Sequence, residues 1–160
     1  MKSVFNSIRS RTISSRTIST MSPSLICLGN PLLDLQVDTT PEYLAKYELK
    51  SNDAILVDAS SNDSKMANLD EVAKMPNVKF IAGGAAQNSA RGAAYVLGKG
   101  QVGYFGSVGK DQFSDKLAEE NESAGVVSLY QVQEKIGTGK CAALITGHDR
   151  SLVTDLGAAN

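Results

Sequence analysis

Three short segments carry residue types that could do chemistry. Gly29-Asn30-Pro31-Leu32-Leu33-Asp34 sets an amide and a carboxylate four residues apart, directly after the apolar run Ser24 to Gly29. An ionised carboxylate accepts hydrogen bonds from two neighbouring hydroxyls, so this pair suits a diol. The same residues also read as a turn cap (Asn30) and a surface acid (Asp34), and their types alone leave both readings open. Ala82-Gly83-Gly84-Ala85-Ala86-Gln87-Asn88 joins a strand-like run to a helix-like one. Paired glycines let a backbone approach a ligand closely, and a helix start offers free N–H groups; a tight strand-to-helix turn needs the same residues. Asn88, one turn into that helix, is expected to face the same crevice as the glycines. The third segment, Gly137-Thr138-Gly139-Lys140-Cys141, imitates the end of a phosphate loop. It fails the pattern: Glu134 stands where a glycine is required, and Cys141 where Ser or Thr is required. Arg150, beside the turn Gly147-His148-Asp149-Arg150, is either an anion contact or a solvated turn arginine.

Short elements must position these residues. Ser24 to Gly29 reads as a buried strand stopped by Gly29-Asn30-Pro31, which puts Asn30 and Asp34 just beyond its carboxyl end. In open α/β sheets ligands lie in the crevice outside such ends. Thr40-Pro41 is a helix start, with Leu44 and Tyr47 on the inner face. Ala54 to Val57 is strand-like, followed by the polar loop Asp58 to Lys65. A helix is expected from Asn68 to Met75, burying Leu69 and Val72. Val78 to Ile81 is a strand running into Gly83-Gly84. Ala86, Ala90, Ala93, Ala94 and Leu97 then form one apolar stripe of helical period, stopped by Gly98. Gln101 to Val108 is a strand, Gly106 to Asp111 a glycine turn into an Asp-capped helix, and Gly125 that helix's end. Val126 to Val132 is a further strand. Lys140 to Thr146 and Ser151 to Leu156 flank the Gly147–Arg150 turn as a hairpin. Alternating strands and helices give an α/β class with a largely parallel sheet. Such a sheet needs helices on both faces, and few are available up to Asn160, so an incomplete fold is expected.

Bulk composition removes several function classes. Within 160 residues, 42% are hydrophobic and 21% charged, and the formal net charge is -1, which excludes the overall basic character of a nucleic-acid binder. No apolar run nears the ~20 residues of a membrane span. Cys27 and Cys141 fit no metal-ligand spacing, and the lone His148 anchors no zinc; two thiols in such a chain point to a reducing compartment. Residues 1–22 stand apart, with four basic residues and no acid in the first 20. This leader reads either as a mitochondrial presequence or as a disordered tail before a second start at Met21. Residues 23–160 are read as the N-terminal part of a larger domain.

Taken together and in order, Gly29–Asp34, Gly83–Asn88 and Gly106–Asp111 resemble the ribokinase-like pfkB family of carbohydrate kinases. The segments Asn30–Asp34, Gly137–Ala143 and Thr146–Leu152 are similar to its adenosine-phosphorylating members, the fungal ones above all. The resemblance covers Leu25 to Asn160. It implies a ribokinase-like α/β fold, with a central, mostly parallel sheet flanked by helices and a small β lid. It implies that Asp34 holds the ribose hydroxyls, assisted by Asn30, Gly83, Gly84 and Asn88. Leu56, Cys141, Leu152 and Leu156 would lie on the lid over the nucleoside, and Arg150 on the phosphate side. Ala85 departs from members that carry Ser there.

The resemblance further implies adenosine and ATP as substrates, with Mg2+ as cofactor, in purine salvage. The family's general base, an Asp in a Gly-Ala-Gly-Asp segment, has no match in this sequence, nor do the ATP and magnesium segments. No catalytic or metal-binding residue is therefore assigned, and the 160-residue chain alone is expected to be inactive. A monomer in the cytoplasm is expected of the complete protein, with the nucleus also open and mitochondria only if the leader targets there. Two other readings stay open: a truncated module that only binds nucleoside, and a related kinase acting on a free sugar.

Overall fold

The computed structural model describes residues 22–57 and 64–160. Residues 1–21 of the leader and most of the polar loop after Val57 lie outside these residues.

The first strand is β1 (Leu25–Leu28). A second strand, β2 (Leu32–Asp38), begins immediately after Pro31. No element is expected from the sequence between the Gly29-Asn30-Pro31 turn and Thr40, and this strand fills that gap. Leu33, Leu35 and Val37 alternate with polar or half-exposed residues, the period-2 pattern of a strand buried on one face. Helix α1 (Pro41–Lys46) starts as expected, with the Thr40 side chain accepting from Tyr43 N and Pro41 in the first turn. After β3 (Ala54–Leu56), helix α2 (Ser64–Val72) ends three residues earlier than expected and buries Leu69 and Val72 fully.

The chain continues through β4 (Lys79–Gly83), helix α3 (Ala85–Leu97), β5 (Val102–Gly109) and helix α4 (Gln112–Ser123). It finishes with β6 (Val126–Gln133), β7 (Lys140–Thr146) and β8 (Asp149–Asp155). Gly106 to Gly109, expected as a turn, is the end of β5. Lys140 opens a strand and not a helix, which agrees with rejecting a phosphate loop.

The strands form two sheets. β1, β5 and β6 are parallel, in the order β1-β5-β6. The other five run β3-β8-β7-β2-β4, with parallel pairs β3/β8 and β2/β7 and antiparallel pairs β7/β8 and β2/β4. This mixed sheet is the lid, and among the described residues it has more strands than the parallel sheet. One lid face (Leu33, Leu35, Val37, Ala142, Leu144, Val153) makes the larger core with Leu44 of α1, Leu69 and Val72 of α2, and Leu117 of α4.

The second core is small. Ala90 and Ala94 of α3 pack on Val102, Tyr104 and Val126 of the parallel sheet. Small residues bring the helix down onto the strands: a Cβ on Gly29 would lie 2.6 Å from the Ala86 Cβ. The expected alanine stripe is present, except that Leu97 is half exposed and Gln87 is buried in its stead. β1 is also not the buried strand expected, since Leu28 is 76% exposed and Ile26 49%.

Candidate functional site

The lid's second face carries the site residues. The pairing register lines up Ile81, Asp34, Cys141, Thr154 and Leu56 in one row across all five strands. Side chains alternate faces along a strand, so Gln36, Ala143 and Leu152 occupy the next row on the same side. Arg150 follows two residues before Leu152, again on that side. The structure thus brings Asp34, Cys141, Leu152 and Leu56 onto one surface from four different strands.

Asp34 sits at the seam between β2 and β4. Its carboxyl occupies the space beside Gly83 where a side chain would stand: a Cβ there would fall 2.6 Å from Cγ of Asp34. Any other residue at position 83 would push the carboxylate away. Burial pushes the Asp34 pKa above the usual carboxylate value, and the nearby Arg150 and Arg91 guanidiniums offset part of that rise. A half-desolvated carboxylate lacking full hydration is suited to accepting hydrogen bonds from a ligand.

Gly84 has φ +88°, a backbone region that L side chains rarely adopt, and a Cβ there would collide with the Asn30 carbonyl oxygen. This contact joins the first loop to the start of α3. The Asn30 amide itself donates to the Ala159 carbonyl, so it is tied down within the chain. Asn88 is exposed, and its Oδ1 accepts from Arg91 Nη2 at 2.7 Å. Arg91 also donates to the Ala82 carbonyl at 2.7 Å, which clasps α3 to the end of β4.

Cys141, beside Asp34 in the row, is buried. Desolvation drives its pKa up to about 11, with the Thr154 hydroxyl and Arg150 pulling back and Asp34 pushing further. It is a neutral thiol near pH 7, receives the Thr154 hydroxyl at 3.1 Å, and is an apolar wall, not a nucleophile. Leu56 is 65% exposed on the surface of this face. It lines, with Leu156 and Gly157, a cleft of about 340 Å³. A second hollow, about 430 Å³, opens at the carboxyl ends of the parallel strands between Asn30, Gly106, Ser107 and Ala159. A hollow of similar size beside Lys99 and Glu122 lies at the amino ends of β5 and β6, away from Asp34.

The Gly137–Gly139 segment is architecture. Asp111 caps α4 by accepting from Phe113 N and Ser114 N at 3.0 Å, and also accepts from Thr138 N (2.8 Å) and the Thr138 hydroxyl (2.7 Å). Thr138 Oγ1 in turn accepts from Gly109 N at 3.0 Å. Burial raises the Asp111 pKa, but the Thr138 backbone and hydroxyl, then Ser114 and Phe113, outweigh it and leave the carboxyl below its usual value. These contacts fix the entry to β7, and with it Cys141.

Sequence reasoning did not foresee one polar group at the core of this region. Gln87 is fully buried; its Nε2 donates to the Gly83 carbonyl at 2.9 Å, and its Oε1 accepts from the Tyr130 hydroxyl at 2.6 Å. The signal was a polar residue inside an alanine stripe.

Among the described residues no group of His, Cys, Asp and Glu side chains could hold a metal ion. No helix there is long and apolar enough to cross a membrane.

Known proteins resemble the chain in sequence and in fold. The chain is 74% identical over 140 residues to an adenosine kinase of Saccharomyces cerevisiae, covering 88% of this chain and 41% of that protein. It is 46% identical over 138 residues to an adenosine kinase of Schizosaccharomyces pombe, covering 85% and 38%. Among solved structures, Anopheles gambiae adenosine kinase in complex with P1,P4-di(adenosine-5) tetraphosphate superimposes with a TM-score of 0.76 at 38% identity, over 85% of this chain and 39% of that one. Schistosoma mansoni adenosine kinase with adenosine, in an occluded loop conformation, gives a TM-score of 0.74 at 31% identity, over 85% and 38%. The chain thus spans about two fifths of the length of these relatives. Both sheets, with α1 to α4, make up the ribokinase-like α/β fold. The pfkB family carbohydrate kinase model matches residues 42–160, and the chain belongs to that family.

Proposed function

We propose that this chain is the nucleoside-holding part of an ATP-dependent kinase that phosphorylates the 5′-hydroxyl of adenosine, giving AMP and ADP. The observation that carries the reading is the Asp34 carboxylate, half-desolvated over Gly83 on a lid face that also carries Cys141, Leu152 and Leu56. A carboxylate can accept from both ribose hydroxyls, while the apolar lid residues cover the base. The identities to adenosine kinases support adenosine over a free sugar.

In this reading Asp34 orients the ribose so that the 5′-hydroxyl points away from the lid, toward the hollow at the strand ends. Asn30, Gly83 and Gly84 form the floor, Asn88 borders it, and Leu156 closes the apolar side with Leu56. Arg150 supplies positive charge to the same face. Phosphoryl transfer depends chiefly on positioning and on charge stabilisation, and the chain's residues contribute the first. No described residue is assigned as general base, since this sequence holds no Gly-Ala-Gly-Asp segment. ATP is the phosphoryl donor and Mg2+ its expected companion. Cys27 and Cys141, both free thiols, suit a reducing compartment such as the cytoplasm.

The test is adenosine binding to the complete protein, wild type against Asp34→Ala, by calorimetry. Loss of a charge-assisted pair of hydrogen bonds is expected to weaken binding roughly ten- to a hundredfold. An unchanged affinity would remove Asp34 from the site.

A further inference from the structure

We propose that Gln87 is a positioning residue for ribose recognition, acting through Gly83 on Asp34 and held in place from the parallel sheet by Tyr130. The inference rests on the reading of Asp34 as the diol contact and extends it to residues that touch no substrate.

Gln87 is buried, and its amide orientation is set by its partners. The Gly83 carbonyl demands a donor, which Nε2 supplies at 2.9 Å. On the other side, the Tyr130 hydroxyl donates to Oε1 at 2.6 Å, and Asn121 Nδ2 donates to it at 3.3 Å. Asn121 Nδ2 also lies 2.9 Å from the Tyr130 oxygen and 3.1 Å from Ser128 Oγ. Asn121 too is fully buried. The group therefore ties α3, α4 and β6 to the last residue of β4. Tyr130 is braced in turn by an edge-on contact with Tyr104, ring centroids 6.1 Å apart.

Gly83 is where this network meets the site. The Asp34 carboxyl rests in the space its missing side chain leaves, so a shift of the Gly83 backbone moves the support of the carboxylate. Arg91 anchors Ala82 only one residue earlier, so the strand end is held at two successive carbonyls, one of them through Gln87. Asn121 Oδ1 has no partner among the described residues, whereas both ends of the Gln87 amide are paired. A buried amide paired at both ends is held in one geometry, and removing a partner frees it. A glutamate at position 87 would set a carboxylate oxygen against the Gly83 carbonyl.

The experiment compares adenosine with 2′-deoxyadenosine on the complete protein, reading the ratio of their affinities. Asp34→Ala, Gln87→Leu and Tyr130→Phe are measured beside the wild type, with melting temperature recorded for each. Tyr130→Phe keeps the ring and its packing and removes only the hydroxyl. The expected result is a preference for adenosine that Asp34→Ala abolishes and that Gln87→Leu and Tyr130→Phe reduce about three- to tenfold. A general loss of packing would lower the melting temperature and both affinities while leaving the ratio intact. If Asp34→Ala collapses the ratio but Tyr130→Phe, and any Gln87→Leu that folds, retain it, the Gln87 role is overturned. If Asp34→Ala itself leaves the ratio unchanged, the diol reading falls, and the role of Gln87 with it.

Discussion

Asp34 has two pH dependences of opposite sign. Burial raises its pKa in the folded chain above the ordinary value of 3.8. A carboxyl so raised contributes stability that is fully present below the unfolded pKa and is lost as pH rises through the folded one. Diol binding needs the ionised form, so affinity must move the other way. As pH falls into the window between the raised pKa and 3.8, adenosine affinity is expected to drop while the Asp34 contribution to stability grows. Titrations of adenosine affinity from pH 7 to 4, with Asp34→Asn as control, check this; a wild-type curve parallel to the control would contradict it. At this scale the sequence was informative wherever a residue's type declares its chemistry. Asp34 and the paired glycines could be picked out by type and spacing, though not the contact between the Asp34 carboxyl and Gly83. Gln87 stood out only as a polar residue inside the alanine stripe; its role could not be read, because its partner Tyr130 lies 43 residues away.

At the scale of elements, the caps were legible and one strand was not. Thr40-Pro41 and Asp111 announce helix starts because side-chain oxygens satisfy N–H groups that a helix leaves unpaired. β2 was missed behind the Gly29-Asn30-Pro31 turn, although Leu33, Leu35 and Val37 keep the strand period. Asp111 illustrates what a cap does when it also holds a loop. Removing it by Asp111→Ala leaves Phe113, Ser114 and Thr138 donors without their acceptor, and a loss of about 2–3 kcal/mol in unfolding free energy is expected. Thr138→Val, which deletes the hydroxyl but keeps the backbone bond, should cost about 1–2 kcal/mol. Because the Asp111 pKa is lowered, its contribution is present above 3.8 and disappears as pH falls through the folded value. Urea unfolding of the complete protein at pH 7 and pH 3 measures both; an Asp111→Ala protein as stable as wild type at pH 7 would remove the Asp111–Thr138 link from the account.

For the molecule as a whole, the α/β class followed from alternating elements, but the division into two sheets did not. The lid is assembled from strands distant in sequence: β2 pairs with β7, so that Asp34 meets Cys141, and β3 pairs with β8, so that Leu56 meets Thr154. Local patterns report which residues form strands and are silent about their neighbours. The parallel sheet is the reverse case. Its strands were legible, and Leu28, Ile26, Phe105 and Val127 keep apolar side chains exposed among the described residues, where few helices are available to cover the sheet. The lid face and the carboxyl ends of the parallel strands nevertheless meet at Asn30 and Gly84, and this junction is what makes the chain a nucleoside holder in the proposed reading. The most direct test is phosphoryl transfer by the complete protein from ATP to adenosine or to ribose, followed as product over time. The account predicts AMP formation from adenosine at a kcat/KM at least a hundredfold above that for ribose, while equal or greater turnover of ribose would contradict it.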